Sequence, residues 1–413
     1  MQPSTTQEPF LNIGWVDLLI GYWPVLLVSF VVSCIATPIC RTIAHKTGVV
    51  DRPNEARKIH TKTTAYLGGV AVLIAIFAGI IVSYTSLIQS PEIFRHVPVA
   101  VLVGMGAIAF TGFADDAFGW DPWYKTAGQL VAAASLSVAE VGVNVAAGFF
   151  NSVFGQADIG FFIGGYYVSI TYWVGTAIIA AFVLGACNAA NLIDGLDGLL
   201  SGVVAITVIG LVLISAFVAT SLTPEQLIHI RDTLPPDWLS TRGDGLTLTG
   251  ANIVMGLSVL GAVLGFLVFN FNPASIFLGD TGSLLLGYVC IAMVLMLGER
   301  GQTHIVIAGL IVFALPILDT LLAIIRRKMA GKPISEPDSN HIHHILKRKF
   351  VSVKKTVLIL YALSMLFCIL GYIMAWGHTT GQFRAYVIYI VAAILFGGIS
   401  LIALNAARKH EHG

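Results

Sequence analysis

Asp280 stands in a glycine-flanked turn, in the stretch FNPASIFLGDTGSLLLG from Phe271 to Gly287, between two long apolar runs. A carboxylate at the head of an apolar helix is costly unless a cation or a metal meets it. Magnesium favours one or two carboxylates completed by phosphate oxygens and water. The amides around Gly282 could face such a phosphate from a helix N-terminus. Asp280 therefore reads as a magnesium ligand, with manganese as the alternative ion, against the plainer reading of a helix cap.

Three other stretches carry chemistry that could converge on it. FADDAFGWDPWYK places Asp115 and Asp116 side by side, then Asp121 and Lys125. Adjacent carboxylates repel, so one titrates high and serves as a base, or both share a cation. A DDxxD diphosphate signature fails because Gly119 holds its fifth position. Lys125 can meet a lipid phosphate while its stem lies along the interface. CNAANLIDGLDGLLSG repeats Asn188, Asn191, Asp194 and Asp197 at every third residue. On a helix, successive members lie about 60° apart and line one flank of a pocket. HIHHILKRK brings His341, His343 and His344, some way after Arg327. Without an acid or cysteine pattern this is weak evidence for zinc, and imidazoles with a bidentate guanidinium suit a diphosphate better. In the first basic loop, Lys58 and His60 are candidates for a phosphate, at even odds with a solvated loop.

The elements that must hold these residues are apolar helices. Of 413 residues, 56% are hydrophobic and 11% charged, far from the soluble norm of about 25% charged. A span needs roughly 20 apolar residues. Eleven such stretches are expected, near 16–37, 66–86, 98–114, 126–147, 168–187, 199–219, 251–270, 282–297, 304–325, 355–376 and 384–406. The fold class is an all-α polytopic membrane protein, one integral domain over 1–413, with its chemical motifs between 57 and 344. The first span follows a stretch without Lys or Arg and is too long for a signal-peptide core, so it is expected to stay as an anchor. The five cysteines, with no C-x-x-C pair, read as small packing residues.

Sorting the 23 Lys and Arg by loop puts 18 on one face and five (Arg95, Arg231, Arg242, Arg300, Arg384) on the other. By the positive-inside rule the basic face is cytoplasmic. The N-terminus is then outside and the C-terminus inside, and every motif above falls on the basic face. The long outer loops, including TPEQLIHIRDTLPPDW, hold nothing with the spacing of a chemical site.

Together the stretches RKIHTKTTAYLGGV, DDAFGWDPWYK, NAANLIDGLDGL, FLGDTGSLLLG, PILDTLLAIIRR and HIHH resemble the polyprenyl-phosphate N-acetylhexosamine-1-phosphate transferases. That family is related to the phospho-N-acetylmuramoyl-pentapeptide transferases. The resemblance implies ten or eleven helices in a bacterial plasma membrane and magnesium-dependent attack of a polyprenyl phosphate on a UDP-sugar, with release of UMP. It makes Asp280 the principal metal ligand and Asn191 its polar neighbour. Asp115 becomes the acid/base, with Asp116 beside it, and Lys125 holds the lipid phosphate. Asp194 and Asp197 help shape the nucleotide pocket, with Asn188 a substrate-binding candidate by its spacing alone, and Arg327, His341, His343 and His344 contact the diphosphate or sugar. The H-x-H-H form is similar to the N-acetylglucosamine branch, with UDP-MurNAc-pentapeptide as the alternative donor. Implied partners are the UDP-sugar, the lipid acceptor and membrane lipids; a homodimer is compatible with it and no nucleic acid is expected. The rival class is a secondary transporter, which wants ionisable groups near the membrane midplane; Asp319 in PILDT is one such acid.

Overall fold

The computed structural model describes residues 13–51, 63–225, 246–299, 301–333 and 341–398. In chain order the helices are α1 (Trp15–Gly21), α2 (Trp23–Thr47), α3 (Gly68–Val82), α4 (Val99–Phe118), α5 (Pro122–Val138), α6 (Val143–Phe154), α7 (Ile170–Ile193) and α8 (Leu199–Thr220). There follow α9 (Thr249–Asn270), α10 (Gly279–Met296), α11 (Thr303–Val312), α12 (Ala314–Met329), α13 (Ile342–Phe350), α14 (Val353–Thr379) and α15 (Ala385–Ala392), which runs on as a π-helical turn to Gly398. Two small antiparallel pairs complete the described residues. β1 (Val50–Asp51) pairs with β2 (Thr64–Ala65), and β3 (Gly160–Ile163) with β4 (Tyr166–Ser169).

Among the described residues seven helices are long and apolar enough to cross a membrane, or up to nine if each of two bent pairs is one span. The expected spans over 126–147 and 304–325 are the bent pairs. α5 and α6 meet at 63°, and α11 and α12 at 81° around Phe313. α3 and α15 are apolar but shorter than a full span. The expected helix ends also move. α2 runs on to Thr47 and α4 to Phe118, so Asp115 and Asp116 lie in a last helical turn rather than in a loop. Lys58, His60 and the second long outer loop lie outside the described residues. The cysteines are all free, four of them buried.

α10 is the axis of the bundle. Over its most apolar 18 residues it is 94% buried, against 33% for α2, α7 and α14. A helix apolar on every side belongs inside, and α10 packs against α3, α4, α7 and α8. The outer helices instead present rows such as Leu27, Val31, Ile35 and Ile39, the surface a lipid-facing helix needs. The head of α10 is thus held among neighbouring helices rather than on the outside of the bundle.

Candidate active site

α10 begins without a cap of its own. Leu278 precedes it and offers no side-chain acceptor, so its first N–H groups need partners from elsewhere. Asp116 of α4 supplies them: it accepts from Asp280 N at 2.8 Å, Thr281 N at 2.9 Å and Thr281 Oγ1 at 2.7 Å. Gly279 makes the approach possible, with φ +67 and a Cβ position that the Asp116 carboxylate would occupy. This sets aside the plainer reading of Asp280 as a helix cap, since its own N–H is capped by Asp116. Asp116, expected among the catalytic groups, is bound to three donors and braces Asp280.

The Asp280 carboxylate is therefore left for side chains. Oδ1 accepts from Asn191 Nδ2 at 2.8 Å, and Oδ2 from Lys125 Nζ at 2.5 Å. The same ammonium is 2.8 Å from Asp115 Oδ2. Asn191 is kept in place by a second donation, to Ser283 Oγ at 3.0 Å. Lys125 comes from the first turn of α5, whose start is fixed by Asp121, an N-cap accepting from Trp123 N at 2.9 Å. So α4, α5, α7 and α10 each contribute one side chain to a single cluster.

Beside this cluster opens a cavity of about 420 Å³, lined among others by Asp51, Tyr66, Asn191, Asp194, Asp197, Asn272, Phe277, Asp280 and His344. One wall is built by the chain before Asp280. Phe277 N donates to Ala65 O, and Gly68 N and Gly69 N donate to Phe277 O and Leu278 O. This strap brings the rings of Tyr66 and Phe277 to 6.2 Å. Burial, with the charge of Asp51 next, raises the Tyr66 hydroxyl well above its usual range. Tyr66 remains a neutral phenol.

The three-residue repeat does not lie on one helix flank as expected, because α7 ends at Ile193. Asn191, Asp194 and Asp197 still reach the same cavity. Asn188 does not: it donates to Gln129 Oε1 at 3.2 Å and to Leu184 O, tying α7 to α5. Asp197 accepts from Asn272 Nδ2 at 2.8 Å and Ala274 N at 3.0 Å, stapling the following loop. Burial first, then the charges of Asp280, Asp116 and Asp197, push Asp194 up to about 8.

Asp319 accepts from His341 Nδ1 at 2.9 Å and from Ile342 N at 2.8 Å, which caps α13 and orients His341 in the helix that carries His344. Beyond the bend at Phe313, Asp319 is thus paired with α13 rather than left as an isolated acid within a span. His343 is buried and packs on Gly195, where a Cβ would meet its Nε2. Burial, then His344, pushes its imidazole down to about 3. His344 faces the cavity, also lowered mainly by burial. Arg327 sits in the last turn of α12 and does not line the cavity. Asp319, Tyr66, Phe277 and Thr281 were not singled out as site residues. All four stand in stretches that carry the resemblance, Tyr66 in RKIHTKTTAYLGGV, Phe277 and Thr281 in FLGDTGSLLLG and Asp319 in PILDTLLAIIRR, but nothing in their local sequence marked them as part of the site.

Among the described residues no three His, Cys, Asp or Glu side chains gather as a metal cluster. The donor set nonetheless suits magnesium, which asks for one or two carboxylates and completes its shell with phosphate oxygens and water. Asp115 and Asp280 already close on one cation, the Lys125 ammonium.

Over residues 98–298 the chain matches the model of glycosyl transferase family 4. A probable undecaprenyl-phosphate N-acetylglucosaminyl 1-phosphate transferase of Bacillus subtilis is 32% identical over 356 residues, 83% of either chain. The chain belongs to this family. Other family members include the decaprenyl-phosphate N-acetylglucosaminephosphotransferase of Mycolicibacterium smegmatis, 30% identical over 81% of this chain and 77% of that one. A phospho-N-acetylmuramoyl-pentapeptide-transferase of Bacillus cytotoxicus is 29% identical over 87% and 98%. The family match holds all the acids, amides and the lysine of the cluster, while Asp319 and the histidines lie beyond it. The chain is a membrane transferase of this family.

Proposed function

We propose that the protein transfers N-acetylhexosamine 1-phosphate, N-acetylglucosamine before other sugars, from its UDP derivative to a polyprenyl phosphate in a bacterial plasma membrane. The acceptor oxygen forms a bond to the β-phosphorus, and the bridging oxygen leaves with UMP. The observation that carries this reading is the Asp115–Lys125–Asp280 cluster at the edge of a cavity large enough for a nucleotide. Phosphoryl transfer needs placement and charge neutralisation more than covalent help, and this cluster supplies both.

Asp280, with Asn191 beside it, would hold magnesium, which when bound neutralises the diphosphate. Lys125 receives the acceptor phosphate, and because its ammonium already touches Asp115, that phosphate lands where Asp115 takes its proton. The Tyr66 and Phe277 rings are suited to a nucleobase, and His344 to the sugar diphosphate. A second cavity, of about 350 Å³, gives the lipid chain a route. Apart from Thr320 it is apolar, lined by Phe182, Gly185 and Ala189 of α7, by Ile317 and Leu321 of α12 and by Phe396. Ala189 adjoins Asn188 and lies half a turn before Asn191. We further infer eleven crossings, with the site on the cytoplasmic face, from the Lys and Arg distribution.

Product analysis tests the proposal. Purified protein with polyprenyl phosphate and a panel of UDP-sugars should release UMP and form lipid diphosphate sugar only with magnesium or manganese. UDP-MurNAc-pentapeptide turning over faster than UDP-N-acetylglucosamine would move the donor assignment. Sugar flux into liposomes without any UMP would overturn the reaction itself.

A further inference from the structure

From His341 to Lys355 the chain reads HIHHILKRKFVSVKK, with five lysines and arginines and no acid. Lys347 is half-buried; burial lowers its pKa, with the charge of Asp197 acting against it. Arg348, Lys349, Lys354 and Lys355 are exposed. So are three apolar neighbours, Ile345 at 46%, Phe350 at 38% and Val351 at 85%. The Lys349 ammonium stands 5.7 Å from the centre of the Phe350 ring, so one side chain offers a charge and the next an apolar face.

Three observations set this stretch apart from a solvated loop. Val351 is β-branched, yet it sits in the left-handed region with φ 57, which costs backbone strain, and its apolar side chain is turned fully outward. Lys354 and Lys355 occupy the first turn of α14, where the helix dipole disfavours cations, so helix stability does not account for them. Finally, α14 has 27 residues, about 40 Å at helical rise, against a hydrocarbon core of about 30 Å. The excess is enough to carry its first turns, and α13 joined to them by Val351 and Ser352, out to headgroup level.

We propose that Ile345, Lys349, Phe350, Val351, Lys354 and Lys355 form a docking surface for anionic phospholipids of the leaflet on the catalytic side, and that this contact seats α13 over the cavity. The apolar side chains enter the acyl boundary and the ammonium groups meet lipid phosphates. Charge complementarity selects anionic over zwitterionic headgroups. Because α13 carries His343 and His344 near its other end, a lipid grip on its last turn fixes the tilt of its first. This second clause rests on the function proposed above.

Amide hydrogen exchange over 342–356 tests the docking. The full chain is placed in nanodiscs of phosphatidylcholine alone, or with about a third phosphatidylglycerol. Exchange should slow about tenfold in the anionic discs, and high salt should reverse it. The triple variant Lys349→Gln, Lys354→Gln, Lys355→Gln should exchange alike in both. Equal exchange of the unaltered protein in both discs, or a difference that survives in the triple variant, overturns the docking. In parallel, KM for the UDP-sugar should be several-fold lower in anionic discs for the unaltered protein alone. Lipid-dependent exchange with an unchanged KM overturns the seating of α13. Lipid-dependent exchange in a protein that releases no UMP would instead tell against the reaction, with the docking intact.

Discussion

The two ends of α10 face opposite electrostatic problems. At its head, Asp115 and Asp280 share a single ammonium, that of Lys125, while Asp116 holds the helix N-terminus and Asp194 feels the charges of Asp280 and Asp116. Beyond its tail, Glu299 meets Arg95 at 3.8 Å and accepts from Leu248 N at 2.7 Å. The tail pair is balanced and holds loops together. The head has more acids than cations: Asp194 meets part of the excess by holding its proton, and under the proposed function the carboxylates on Lys125 are left to an added cation.

Changes at the head should therefore abolish turnover, while those at the tail should alter only stability. Asp280→Asn is the severest, lowering UMP release by about 10³-fold or more; full activity would remove Asp280 from the metal. Asp115→Asn should lower kcat by about 10²- to 10⁴-fold with nucleotide binding retained, as titration calorimetry would show. Asp319→Ala frees His341 and uncaps α13, so KM for the UDP-sugar should rise by about 10- to 100-fold, as for other orienting partners. Asp319→Asn, which keeps an acceptor for Ile342 N, should lose less.

A stability experiment sharpens the contrast further. Asp194 has a folded pKa of about 8, above its unfolded value, so between these values the native state holds a proton that the unfolded chain has lost. Without magnesium, stability should fall as pH rises from about 4 to about 8, and Asp194→Asn should flatten that slope in thermal unfolding. The smallest effect on turnover belongs to Glu299→Gln at the tail. It should lower stability by about 1 to 3 kcal/mol, through a weakened bond to a poorly solvated amide, and leave kcat within about twofold.

The helices were legible because apolar runs bounded by polar loops leave few alternatives, and the family motifs marked Asp280, Asp115, Asn191 and Lys125. Other features depend on partners far along the chain. Nothing local distinguishes Asp116 from Asp115; only the uncapped start of α10 decides that one braces and the other faces the cation. Pro316 and Phe313 gave no sign of an 81° break, and without it Asp319 looks like an acid stranded in the membrane. Asn188 fits the repeat by spacing, yet its amide finds Gln129 first.

The brace between Asp116 and the head of α10 spans 164 residues of sequence. During synthesis, α4 enters the membrane long before α10 exists, so for that interval its two carboxylates have neither the helix N-terminus nor the full cluster to meet them. The cluster is thus a late product of assembly: a chain truncated before Gly279 could insert most of its helices and still lack the carboxylate on which Asp116, Lys125 and Asn191 converge. The arrival of α10, and not that of the acids on α4, completes it.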